Sequence, residues 1–127
     1  MDKALYVGIG GLVGSVLRYW MGGFVQQTAN NPTFPLGTLA VNLAGCLLIG
    51  FLSQLADARN AFTPEVRLLV FTGILGGFTT FSTFSNETMD LLRSGQILPA
   101  VLNTGLHVFA GLAAVWLGRS LAWWIWR

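Results

Sequence analysis

An all-α membrane protein with four transmembrane helices is the fold class this sequence predicts, and three observations predict it. Of the 127 residues, 54% are hydrophobic and only 9% charged, whereas about a quarter of a soluble domain is charged. The apolar residues gather in four stretches, each close to the roughly 20 residues that a helix needs to cross a bilayer. Short connections separate them, the first two carrying Asn, Pro and Thr and the third Ser94 and Gly95. The third stretch ends in GILGGFTTFSTFSNE, Gly73 to Glu87, where hydroxyls and phenyl rings alternate after a pair of glycines. The whole chain, 1–127, reads as one four-helix domain with spans at about 4–25, 36–55, 64–86 and 97–118.

The first span carries Gly10 and Gly14 in a small-xxx-small register, which permits close helix contact. Its Lys3 start could imitate a signal peptide, but Arg18 and the repeated glycines interrupt the run and no small-residue cleavage pattern follows. Arg18 lies beside Tyr19 and Trp20 and has two readings. It either snorkels to lipid headgroups or keeps a vestibule mouth positive and concentrates anions there. In the second span Thr38 and Asn42 are four apart and share one helix face. An amide at that depth bonds a neighbouring helix, worth about 1 kcal/mol, or lines a cavity; the nearby Thr38 favours a pathway-facing stripe. Cys46 lies within an apolar run and packs as a small hydrophobe.

Thr63 and Pro64 form a helix start, with threonine as N-cap and proline at the first position. The helix that begins there is expected to break near Gly76–Thr80, because adjacent glycines lower helix propensity and hydroxyls compete for backbone hydrogen bonds. Irregular backbone at membrane depth survives only where it is packed in protein or lines a polar cavity, so the run predicts a pathway or an ion site. A glycine-kinked helix with back-bonded hydroxyls is the plainer alternative. Glu87 is the only acid near the candidate pathway, and a solvated helix-end role is preferred over coordination.

The fourth span holds Asn103, Thr104 and His107, the first and last on one face. His107 has no acidic partner in its span and no second metal-ligating residue at useful spacing, so zinc is unsupported. The Trp123, Trp124, Trp126 and Arg127 terminus reads as an interfacial anchor. Lys3, Arg59, Arg67, Arg119 and Arg127 would share one side of the membrane, against Arg18 and Arg93 on the other, which favours a cytoplasmic N-terminus. The net charge of +2 forms no basic block, so no nucleic-acid partner is expected. No nucleophile, base and orienter converge, so no enzyme is expected. Four helices enclose little interior, so a polar path is expected between subunits of a homo-oligomer in contact with membrane lipid.

The pattern GxLGGFTTFSTFSxE at Gly73 to Glu87 resembles the signature of the Fluc/CrcB family of small fluoride channels. The GTLxVNLxG run at Gly37 to Gly45, the LRYW at Leu17 to Trp20 and the four-span layout extend that resemblance along the chain. It implies a passive, electrodiffusive channel of the cell inner membrane that exports cytoplasmic fluoride. It further implies an antiparallel, dual-topology homodimer with two pores and a dehydrated structural sodium ion at its centre. Position by position, Asn42 matches the pore-facing asparagine and Phe81 and Phe84 the phenylalanines lining the fluoride path. Gly76 and Thr79 match the positions whose main-chain carbonyls hold sodium, and Arg18 matches the vestibule arginine. Thr83 and Glu87 match polar positions near one pore end. Thr38, Ser82 and His107 add hydroxyls and an imidazole to the candidate fluoride pathway, while Asn103 and Thr104 stay open as fourth-helix candidates, the region that departs most from the family. A small four-helix multidrug-type exporter is a competing reading, but it needs an acid inside the first span, which holds only Arg18. A non-transporting intramembrane assembly subunit is another.

The chemistry of the motif agrees with an anion path. A phenyl ring has a negative face and a positive edge, so ring edges meet an anion without the fixed charge that would trap it. Amides and hydroxyls replace part of the hydration shell, and conduction needs binding weak enough to release.

Overall fold

The computed structural model describes residues 2–126 and is helical except for short connections; Met1 and Arg127, part of the expected interfacial anchor, lie outside the described residues. Helix α1 spans Lys3–Thr28, α2 Leu36–Arg59, α3 residues 64–78, α4 Phe81–Arg93 and α5 Ile97–Ile125. Four stretches, Lys3–Thr28, Leu36–Arg59, Pro64–Arg93 and Ile97–Ile125, are long and apolar enough to cross a membrane. The chain is a multi-pass membrane protein in which α3 and α4 together form the third, broken crossing.

Local chemistry sets the helix ends. Thr63 caps α3 by accepting the Val66 N–H at 3.3 Å, with Pro64 in the first turn, where its missing N–H costs nothing. Asn60 ends α2 in the left-handed region at φ 45°, a conformation that asparagine tolerates better than most residues. Gly95 does the same between α4 and α5 at φ 73°. Two stretches, Leu68–Leu75 in α3 and Leu106–Ala110 in α5, are wound as π-helix, a form that often accompanies functional sites.

Close packing comes from glycine. A Cβ on Gly10 would strike the Leu69 carbonyl oxygen, one on Gly14 the Ile74 carbonyl, and one on Gly77 would lie 2.6 Å from the Gly11 carbonyl. The backbones of α1 and α3 therefore touch along a glycine seam. A second seam joins α2 and α5, where Gly50 faces the Val115 carbonyl and Gly118 the Leu47 carbonyl. At one end of the bundle Asp57 of α2 holds Arg119 of α5 at 3.2 Å and Arg67 of α3 at 3.9 Å. Trp126 packs edge-on to Phe51 at 5.6 Å, and Trp123 and Trp124 are exposed beside it.

The third crossing breaks at Thr79 and Thr80, the far end of the expected Gly76–Thr80 stretch. Gly76 keeps helical angles (φ −63°, ψ −38°) and α3 runs on to Phe78. Thr79 (φ −87°, ψ 157°) and Thr80 (φ −150°, ψ 111°) are extended, and α4 starts at Phe81. The reason is packing: the seam with α1 holds Gly73 and Gly77 in helical register, and a threonine able to cap a new helix takes the break.

Candidate functional site

The break is held by one side chain. Asn42 of α2 donates from Nδ2 to the Thr80 carbonyl at 3.0 Å and accepts the Thr80 N–H at Oδ1 at 2.8 Å. Both polar groups of an extended residue are thus satisfied as a strand partner would satisfy them, in a setting where an orphaned backbone group is expensive. The second Nδ2 proton of Asn42 remains for another acceptor. Thr80 also caps α4, its Oγ1 accepting the Thr83 N–H at 3.2 Å and donating to Thr83 Oγ1 at 2.9 Å.

Two helix ends of opposite sign therefore meet at membrane depth. The last carbonyls of α3 lack intrahelical amide partners and carry partial negative charge, while the first amides of α4 carry partial positive charge. Arg18 of α1 reaches this point, its Nη1 lying 3.5 Å from the Thr79 carbonyl oxygen. The Thr79 hydroxyl bonds back to the Leu75 carbonyl at 3.0 Å, and its methyl sits against Gly45, where a Cβ would collide with it.

A cavity lies on each side of the Asn42–Thr80 clasp. The larger, about 790 Å³, is bordered by Arg18, Thr38, Thr80, Thr83, Glu87 and Asp90 among others. The smaller, about 390 Å³, is bordered by Asn42, Gly76, Thr79, Thr80, Phe81, Phe84 and His107 among others. Thr80 borders both.

In the larger cavity Thr38 Oγ1 donates to Glu87 Oε1 at 2.7 Å, and Glu87 Oε2 is buried without a hydrogen-bond partner among the described residues. The preferred reading of Glu87 as a solvated helix-end carboxylate is corrected here. Helix α4 continues to Arg93, so Glu87 is mid-helix and faces α2.

In the smaller cavity the two phenylalanines differ. Phe84 is 8% exposed and Phe81 78% exposed, with ring centroids 5.4 Å apart. The His107 ring lies 4.2 Å from Phe84 at a tilt of 33°. His107 Nδ1 is 2.9 Å from the Asn103 carbonyl oxygen; a carbonyl only accepts, so Nδ1 carries the proton. Nε2 is buried and has no partner among the described residues.

The other fourth-helix candidates stand apart from the cavities. Asn103 is fully buried and donates to Thr88 Oγ1 at 2.9 Å, tying α5 to α4. Thr104 is exposed and bonds back to the Ala100 carbonyl at 3.0 Å. Ser82 is exposed, its hydroxyl 3.4 Å from that of Thr80. The residue that sequence reasoning missed is Thr80. Its signal was the capping pattern, a threonine followed three residues later by a polar residue at the head of a helix.

A family model described as CrcB-like protein, Camphor Resistance (CrcB), matches residues 5–119. A protein of Elusimicrobium minutum named Fluoride-specific ion channel FluC is 50% identical over 122 residues, covering 96% of this chain and 94% of that one. A protein of the same name from Flavobacterium psychrophilum is 44% identical over 122 residues, 96% of this chain and 98% of that one. A third, from Chlorobium phaeobacteroides, is 45% identical over 118 residues, 93% and 91% of the two chains.

Proposed function

The chain belongs to the CrcB-like family, and from that premise we propose that it is a fluoride-selective channel that conducts the ion passively out of the cytoplasm. The observation that carries this reading is the broken third crossing, clasped by Asn42 between two cavities, with Phe81 and Phe84 at the head of α4. Arg18 concentrates anions in the larger cavity, Thr83 offers a hydroxyl whose proton is not engaged, and Glu87, holding the Thr38 proton, keeps that end from trapping an anion. The free Nδ2 proton of Asn42, the positive end of α4 and the rims of Phe81 and Phe84 replace water in the smaller cavity, with His107 beside them, while Ser82 offers its hydroxyl on the exposed side of α4. Export needs no fuel. An interior-negative potential acts on a single charge with about 2.3 kcal/mol per 100 mV, directed outward for an anion.

A second copy completes the path. Phe81 presents most of its ring at the protein surface, together with the exposed Gly76, and an antiparallel homodimer would cover both and build two pores. The carbonyls at the end of α3 suit a structural sodium ion shared across the twofold axis. Gly76 is unobstructed, a Cβ there meeting nothing nearer than the Phe71 carbonyl at 3.8 Å. Among the described residues the Thr79 carbonyl oxygen has only the long approach of Arg18 at 3.5 Å, and its second lone pair is open to a cation. Bound there, sodium would supply a positive centre that joins the two breaks. The multidrug-exporter reading has no support, since α1 offers no acid beyond the Asp2 cap.

Fluoride efflux from liposomes containing the purified chain, with chloride as the comparison, tests the proposal. Rapid fluoride release with little chloride release is expected, and Phe81→Ile or Phe84→Ile should slow fluoride at least about tenfold, about 1.4 kcal/mol of barrier. Equal passage of both halides, or no passage of either, would overturn the channel reading.

A further inference from the structure

His107 is the chain's single histidine and sits in the π-wound stretch of α5. Its ring borders the smaller cavity and packs on Phe84. The Asn103 carbonyl fixes the neutral ring as the Nδ1–H tautomer, so the remaining nitrogen, Nε2, is a lone pair. A lone pair repels an anion. The same ring with a proton on Nε2 is a cation and a strong donor.

We propose that His107 binds fluoride only in its cationic form, so that the anion is held beside Phe84 together with one proton. This deepens the fluoride reading and rests on it. The proton comes from hydronium in the bathing solution, whose O–H bond breaks as the Nε2–H bond forms and which is left as water; no bond to fluoride forms or breaks, and the imidazolium and fluoride leave a neutral pair in a low-dielectric site. Such a pair is worth most to the halide that accepts the strongest hydrogen bond, so His107 also favours fluoride over chloride. If the imidazole served packing alone, a phenyl ring would fill the place without leaving Nε2 unpartnered.

The groups able to perturb this equilibrium are few. Cys46 of α2 borders the same cavity, and Arg18 and Tyr19 of α1 and Glu87 and Asp90 of α4 border the neighbouring one, Glu87 being held by Thr38. Helix α5 adds no acid or base before Arg119. Fluoride flux therefore increases with acidity as the ring becomes cationic.

The test is fluoride efflux from proteoliposomes between about pH 5 and about pH 8, with protein-free vesicles subtracting hydrogen fluoride that leaks through lipid. Wild type should gain up to about tenfold per pH unit of acidification above the ring's titration, whereas His107→Gln, which keeps an N–H donor at every pH, should conduct with a flat profile. The second measurement uses ¹⁵N-histidine magnetic resonance of the bilayer-embedded wild type, unambiguous with one histidine. At fixed pH, fluoride but not chloride should convert the Nδ1–H signal to the imidazolium signal. A flat wild-type profile, an unchanged slope in His107→Gln, or a ring signal indifferent to fluoride would overturn the proposal. A variant that is merely slower at all pH values would mark a packing role and overturn it too. No fluoride flux from folded wild type at any pH would remove the channel reading beneath it.

Discussion

Asn42 does two tasks with one amide. Its carbonyl oxygen and one N–H hold both backbone groups of Thr80, and only the remaining N–H is available for an ion. Asn42→Ala removes the partner of both the N–H and the C=O of Thr80, a cost of up to about 1–3 kcal/mol each, less where water from the bordering cavities takes its place. The variant should lose thermal stability by that order and lose fluoride throughput together; lost stability with full throughput would leave Asn42 a structural clasp alone. Its burial in a polar stripe was legible in the sequence, because a neutral amide in an apolar span needs a partner. The partner was not, because it lies 38 residues away and is chosen by the fold. Glu87 failed for a similar reason: a carboxylate near the apparent end of a span looks solvated until α4 is seen to continue and turn it toward Thr38.

At the level of elements, the four spans follow from hydropathy and the helix starts from capping chemistry, as at Thr63–Pro64. The broken third crossing was also legible, to within the stretch Gly76–Thr80; which residues of that stretch open was not. Glycines both weaken a helix and allow close approach, and here approach wins: Gly73 and Gly77 lie against α1 and stay helical, and the chain opens at Thr79 and Thr80. Gly77→Ala would set a methyl 2.6 Å from the Gly11 carbonyl. Its helix-propensity gain of about 1 kcal/mol is smaller than the typical 1–3 kcal/mol cost of overpacking, so thermal unfolding in detergent should move down. Gly8→Ala, where a Cβ meets nothing within 4 Å, should move it up. A shift of the same sign in both would remove the seam as a packing element.

For the whole molecule, a chain of this size leaves part of the motif at its surface. Phe81 is the clearest case, a motif residue with 78% of its surface uncovered. Pairing with a second copy was inferred from chain length and resemblance, and the geometry at Phe81 and Gly76 is what such pairing would cover. If sodium joins the copies through the carbonyls of Gly76 and Thr79, exchanging it for a large organic cation should weaken the dimer. Cross-linking or light scattering in detergent would read this as a shift toward monomer. Indifference to the cation would remove that link while leaving the anion path intact.

Peptide dipoles supply the opposed polarity at Thr79 and Thr80, and dipoles have no proton to lose. Acid leaves that polarity unaltered, since it cannot discharge a carbonyl or an amide. Whatever responsiveness to its habitat the passage has must then come from side chains set beside the break.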